Sequence, residues 1–218
     1  MVCKLTPSAP RLILFAGHAG TGKSTLAKKA LPLIIERTGE DFFFLDKDTV
    51  YGAFSAHVME LTTQNPNDRD SPFYLENLRD WEYRGLIDIA RENLLLGVNV
   101  ILVGPFSREI QSGNMFNPEA LGVPAQTKIS IAWIDLQEQE AKTRMEKRND
   151  PRDDWKLAHW DEYVKRRIEP PQHASIQRFD NLNFDQENFE KLLNSLIKDR
   201  KSTRLNSSHI TISYAVFC

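Results

Sequence analysis

The chain has 218 residues, 41% of them apolar and 27% charged, a balance that suits one soluble domain with a substantial core. Its formal charge of −2 removes bulk attraction to duplex nucleic acid, so affinity of that kind would have to come from a local site. Cys3 and Cys218, at opposite ends of the chain, are the only cysteines, which suits a reduced compartment better than a disulfide framework and leaves no cysteine-based zinc centre. No run approaches the roughly 18 apolar residues of a membrane span, and the first ten residues lack the basic-then-apolar pattern of a signal peptide. A cytoplasmic location with no membrane partner is expected.

In chain order, RLILFA at about residues 11–16 reads as a buried parallel strand. Lys23–Arg37 then places Leu26, Ala27, Ala30, Leu33 and Ile34 at helical spacing, with Pro32 as a kink and Gly39 as a stop. Phe42–Leu45 is a second strand, and Thr49–Leu61 is helical. A polar, proline-containing loop leads to a long helix over Tyr74–Leu96. Asn99–Val103 and Lys128–Ile134 are the third and fourth strands, separated by a Gly/Pro/Asn-punctuated stretch at Gly113–Pro124. Glu138–Lys147 and Leu157–Ile168 are helices flanking the charged, irregular Arg148–Trp155. Ser175–Arg178 is a short fifth strand, and Glu187–Ile197 closes the domain as a helix. Strands alternating with helices predict an α/β three-layer sandwich: a parallel sheet of about five strands with helices on both faces.

Residues 1–198 are expected to form the domain. The segment 199–218, DRKSTRLNSSHITISYAVFC, changes character abruptly and resembles a translated sequencing adapter, since GATCGGAAGAGC reads Asp-Arg-Lys-Ser. It is therefore expected to be non-native, standing where the natural C-terminus would be. The alternative is an edge strand over Ile210–Phe217. Without the segment, three cations (Arg200, Lys201, Arg204) and one acid (Asp199) drop out, and the formal charge becomes −4.

GHAGTGKST (Gly17, His18, Ala19, Gly20, Thr21, Gly22, Lys23, Ser24 and Thr25) fits the phosphate-loop pattern Gly-x-x-x-x-Gly-Lys-Ser/Thr in its required strand-to-helix context. The glycines let successive N–H groups face phosphate, and the helix N-terminus adds its positive end. Lys23 is expected on the β- and γ-phosphates of ATP. Ser24 is placed to ligate Mg²⁺.

With this loop the chain resembles the AAA_33-type or zeta-toxin-like group of P-loop kinases, broadly similar to polynucleotide kinase, gluconate kinase and chloramphenicol phosphotransferase. The resemblance spans about residues 10–183 and implies a P-loop NTPase fold and transfer of the γ-phosphoryl group to a hydroxyl on a small molecule or a nucleic-acid end. In such kinases an aspartate after the second strand accepts or orients the proton of the attacking hydroxyl. Asp48, in the triplet Asp46-Lys47-Asp48, stands at the matching place. Asp46 is a candidate metal contact, and capping of the next helix is the alternative for either acid. Gly104 and Pro105 stand where many P-loop proteins carry a metal-bridging acid after the third strand, a departure from the pattern.

Arg144, Arg148 and Arg152 recur every four residues and read as a lid, about residues 144–156, that could close over the triphosphate. The alternative is a solvated helix face, since acids are interleaved. Phe179–Asn181 falls where related folds place an adenine-contacting loop. Glu82 lies on an apolar helix face, and Arg79, three residues earlier, is its expected ion-pair partner. His159 and Trp160 line the acceptor pocket or belong to an amphipathic helix with Trp160 and Val164 in the core. Linear order does not say which of Arg69, Asp70, Arg108 and His159 meet. The rival to a kinase is a regulatory or partner-binding ATPase with slow hydrolysis, which the pairing of Asp48 with lid arginines disfavours.

Overall fold

The computed structural model describes residues 9–198; both cysteines, the adapter-like segment 199–218 and its alternative strand lie outside the described residues. β1 (Arg11–Ala16) is buried along its length and leads through the phosphate loop into α1 (Lys23–Thr38). α1 runs through Pro32 as one element and ends where Gly39 adopts φ 65°, its N–H bonded to the Ile35 carbonyl. β2 (Phe42–Asp46) passes directly into α2 (Lys47–Thr63), two residues earlier than the pattern predicts because Asp46 caps the helix.

The single long helix expected over residues 74–96 is two, α3 (Pro72–Asn77) and α4 (Arg79–Leu95). Ser71 accepts a hydrogen bond from the Tyr74 amide and Pro72 opens the helix, so α3 has its own start; Leu78 (φ −122°, ψ −43°) breaks the run. β3 (Asn99–Val103), α5 (Ser107–Gln111), a 3-10 turn at Asn114–Phe116 and α6 (Pro118–Leu121) follow. β4 (Lys128–Asp135) leads to α7 (Glu138–Arg148) and a 3-10 turn at Pro151–Asp153. The helix expected over 157–168 is likewise split at His159 into α8 (Asp154–Ala158) and α9 (Trp160–Lys165). β5 (Ile176–Asp180) and α10 (Gln186–Ile197) complete the domain.

The five strands are parallel in the order β2-β3-β1-β4-β5. Alternation along β1 sorts the two faces. Leu12 and Leu14 pack with Tyr83, Leu86, Ala90 and Leu94 of α4, while Ile13 and Phe15 pack with Leu26, Ala27, Ala30 and Ile34 of α1 and Phe189, Leu192, Leu193 and Leu196 of α10. Each such fully buried Leu or Ile contributes about 1.5–3 kcal/mol, enough to hold the sheet rigid beneath the loops. Gly85 allows the close approach of α2 to α4, since a Cβ there would run into the Tyr51 hydroxyl. A third cluster, Leu136, Ala141, Met145 and Tyr163, seats α7 and α9 beside the loop. The registers Asp46↔Val103 and Ala16↔Trp133 bring the carboxyl ends of the strands to one edge, where open α/β sheets hold ligands. Among the described residues no helix is long and apolar enough to cross a membrane.

Candidate active site

At that edge lies a cavity of about 530 Å³. Its walls come from the phosphate loop, the start of α2, the 66–75 segment, the turn after β3, the α7–α8 region and α9. Among the described residues nine lysines and arginines line it against four aspartates, a surplus that suits a polyanion.

The loop takes its shape from glycine. Gly17 has φ 135°, and a Cβ there would run into the Ile134 carbonyl of β4; Gly22, with φ 88°, lies against the Asn181 amide. Three tertiary contacts then lock it. Asn181 Nδ2 donates to the Thr21 carbonyl (2.8 Å), the Ala19 amide donates to the Tyr163 hydroxyl (3.0 Å), and His18 Nε2–H donates to the Ile168 carbonyl (2.9 Å). Burial pushes the His18 imidazole down to about 4, so it is neutral at physiological pH, edge-on to Trp133. Lys23 Nζ donates to the His18 carbonyl (2.6 Å), and burial brings its pKa down to about 8 against the pull of Asp48 and Asp46.

Ser24 Oγ donates to Asp46 Oδ2 (2.6 Å), and the other oxygen of Asp46 accepts from the Asp48 amide (3.0 Å). Asp46 is thus both the cap of α2 and the partner of Ser24. A hydroxyl and a carboxylate side by side form a hard oxygen-donor pair that fits Mg²⁺, with phosphates and waters completing the shell. Among the described residues no group of three or more His, Cys, Asp or Glu side chains forms a metal cluster. Gly104 has a structural reason for standing in place of an acid: a Cβ would lie 3.1 Å from the Phe106 ring and 3.4 Å from Lys47 Cβ. Lys47 fills the space beside it.

Asp48 opens into the cavity, its side chain 59% exposed. Burial of its surroundings works to raise its carboxyl, but the charge and hydrogen bond of Lys47, with Arg152 and Lys23, outweigh it, and the net direction is down. Lys47 Nζ lies 3.1 Å from Asp48 and 2.9 Å from Glu82, and Glu82 also accepts from Ser55 and from the Tyr74 hydroxyl (2.6 Å). Burial works to lower Lys47, but Tyr83, Asp48, Tyr74 and Glu82 raise it, so it stays charged. Arg79 is not the partner of Glu82 although both stand on α4: it forms a fork on Glu109 of α5 and also meets Asp80.

The three arginines with lid spacing separate in space. Arg148 pairs with the buried Asp153, and Arg152 pairs with Asp150 (2.6 Å) and reaches Asp48 (3.5 Å); both line the cavity. Arg144 instead donates to the Asn181 and Leu182 carbonyls (2.8 and 3.2 Å), bracing the loop after β5. Of the residues expected there, Phe179 is a core residue of β5, and Asn181 is the one that bonds to the phosphate loop. Arg69, Asp70 and Arg108 line the cavity, whereas His159 stacks on Trp155 and Trp160 packs against the cluster of Leu136, Ala141, Met145 and Tyr163. Tyr74, which the sequence places with Arg69 and Asp70 before the long helix, also lines it; Lys47, Lys156, Tyr163 and Arg166 do too and were not singled out from the sequence.

The parallel sheet order, the glycine-shaped loop and the converging cations define a P-loop α/β nucleotide-binding fold. Within that class the chain matches the AAA_33 family, described as an AAA domain, over residues 12–171, and it belongs to that family. Solved structures share the architecture. Kti12 from Chaetomium thermophilum, in complex with ADP-AlF3, superposes with TM-score 0.58 at 15% identity, covering 86% of this chain and 97% of its own. The APS kinase CysC of Mycobacterium tuberculosis, in complex with AMPPNP and APS, gives TM-score 0.56 at 17% identity, covering 87% and 99%. A gluconokinase from Sinorhizobium meliloti gives TM-score 0.52 at 15% identity, covering 86% and 91%. No curated protein matches the chain.

Proposed function

We propose that the protein is an ATP-dependent kinase that transfers the γ-phosphoryl group to a hydroxyl of a small molecule or nucleic-acid end. The observation that carries this is the meeting of Asp48, Lys23 and Arg152 in one cavity, with Arg152 3.5 Å from Asp48. A P-loop that only bound nucleotide would need neither an acid open to solvent beside the lysine nor a lid cation bridging to it.

Lys23 leaves the His18 carbonyl to meet the β- and γ-phosphates, while the amides from Gly20 to Thr25 and the start of α1 hold the triphosphate. Ser24 and Asp46 would hold Mg²⁺, which when bound offsets charge on the phosphates. Asp48, ionised and held by Lys47, orients the acceptor hydroxyl and takes its proton as the bond to phosphorus forms. Arg148 and Arg152 offset negative charge on the transferring group. Arg144 acts at a distance by holding the loop after β5 against the phosphate loop. Residues 1–198 form the kinase domain, with the lid centred on the 3-10 turn Pro151–Asp153.

ADP release with Mg-ATP against pooled sugars, nucleosides, hydroxylated antibiotics and 5′-hydroxyl oligonucleotides tests this. Acceptor-dependent turnover is expected, abolished by Lys23→Ala and lowered about 10²- to 10⁴-fold by Asp48→Asn with ATP binding retained. Slow, acceptor-independent hydrolysis indifferent to Asp48→Asn would defeat the kinase assignment in favour of a regulatory ATPase.

A further inference from the structure

Most of the cavity's cations are neutralised by neighbours. Lys47, Arg79, Arg108, Arg148, Arg152, Lys156 and Arg166 each have a carboxylate within 4.0 Å. Two do not, among the described residues: Lys23, whose partner is the triphosphate, and Arg69. The half-buried Arg69 donates only to main-chain carbonyls, from Nη1 to Pro66 (2.9 Å) and Asp68 (2.8 Å) and from Nη2 to Gly52 (3.1 Å). Neither neighbouring acid lies within 4.0 Å of it, and Asp68 feels its charge only at longer range. Asp68 is engaged by the Asp70 and Ser71 amides (2.8 and 2.9 Å), and Asp70 by Lys156 (2.7 Å) and Arg166 (3.6 Å). Carbonyls fix the direction of a guanidinium without cancelling its charge, and a cation held this way in a pocket is poised for a fork-like pair with an anion.

Gly52 places that charge. It lies one turn beyond Asp48 on α2, about 6 Å of helix rise, so Arg69 stands on the acceptor side of the aspartate. We infer that the phosphoryl acceptor is itself an anion, a small hydroxylated molecule whose carboxylate, phosphate or sulfate group pairs with Arg69 while its hydroxyl faces Asp48. This rests on the phosphotransfer reading of the site and names its substrate class. Arg166 and Arg108 stand on the same cavity wall with long or solvent-exposed ion pairs, which an incoming anion can exchange at small cost.

Binding to the whole chain is measured by calorimetry with Mg²⁺ and a non-hydrolysable ATP analogue present. The titrants are matched pairs: glucose against gluconate and glucose 6-phosphate, adenosine against adenosine 5′-phosphate, glycerol against glycerate and glycerol 3-phosphate, with inorganic phosphate and sulfate beside them. The expected result is at least one anionic member bound tenfold or more tightly than its neutral partner, weakened by added salt. Arg69→Met removes that advantage with affinity for the ATP analogue unchanged, and Arg69→Lys, which keeps charge but loses the carbonyl fork, retains part of it. The inference is overturned if no anion outcompetes its neutral partner, if the advantage survives Arg69→Met, or if the ATP analogue is what weakens. Should Arg69→Met not fold, Arg69→Lys and the wild-type salt series decide: an advantage indifferent to both overturns it. ADP release from neutral members alone defeats this inference and leaves the kinase standing, whereas anion binding without acceptor-dependent ADP release from any member defeats the kinase.

Discussion

The two sides of the cavity are built differently. The phosphate loop is local: nine consecutive residues running from the end of one strand into the first turn of one helix, shaped by glycines at positive φ and strapped by three hydrogen bonds from residues more than 140 positions away. The opposite wall is assembled from the starts of α2 and α4, the 66–75 segment and α9, and its side chains are fixed by charge, with Glu82 only 3% exposed and Lys47 10%. One side holds its shape through backbone that any triphosphate can use. The other holds it through buried ions, where each partner depends on the next, and so it can differ between relatives that share the loop.

Breaking the ionic wall should have the largest effect. Glu82→Ala leaves Lys47 charged and buried without its main partner and strands the Ser55 and Tyr74 hydroxyls, a loss expected at about 3–5 kcal/mol. Urea unfolding reads it. The double change Lys47→Met with Glu82→Leu should restore much of the stability while turnover stays low, because Asp48 has lost the cation that holds it. A double variant as unstable as the single would show that shape, not charge, sets this wall.

Sequence and structure part company along the same line. The phosphate-loop motif, the position of Asp46 and Asp48 at the end of the second strand and the alternation of strands with helices were legible because each is carried by neighbours in the chain: a motif between a strand and a helix, or carboxylates at a strand end. Glu82 was not, because spacing of three residues on a helix offers a partner without requiring it: Arg79 and Glu82 share α4, yet Glu109 takes Arg79 and Lys47, 35 positions from Glu82, takes Glu82. The triplet Asp46-Lys47-Asp48 did carry a signal, since a lysine between two site acids at a strand end has few places to go but inward. Tyr163 and His18 carried none, as their partners are main-chain groups invisible to residue patterns.

The loop side is probed by pH. His18 is held neutral, its pKa down at about 4 from 6.5, so the unfolded chain binds the extra proton between those values. Its contribution to stability is complete above pH 6.5 and is lost as pH falls toward 4, on the order of 3 kcal/mol. Thermal unfolding at pH 7 and pH 4.5 should show a smaller difference for His18→Gln than for the wild type; equal slopes would mean that the imidazole is not the group responsible.

Nucleotide binding has its own titration. Lys23, at about 8 in the free protein, gains favourable charge when phosphates arrive, so its pKa rises on binding. ATP affinity should be flat below pH 8 and fall by up to tenfold, about 1.4 kcal/mol, per pH unit above it. Lys23→Met should bind more weakly and lose that slope, which calorimetry from pH 7 to 9.5 would read directly.

The smallest effect separates the two kinds of construction most cleanly. Tyr163→Phe removes one hydroxyl, the acceptor of the Ala19 amide, and leaves the ring packed against Leu136, Ala141 and Met145. Losing one partly buried hydrogen bond costs about 1 kcal/mol of stability. Because the freed amide belongs to a loop that binds phosphate, a triphosphate can supply the missing acceptor, so nucleotide should recover more stability in Tyr163→Phe than in the wild type. Thermal unfolding with and without Mg-ATP measures this. A deficit unchanged by nucleotide would mean that Tyr163 fixes α9 alone, whereas its disappearance would show that α9 and the triphosphate share one set of loop donors.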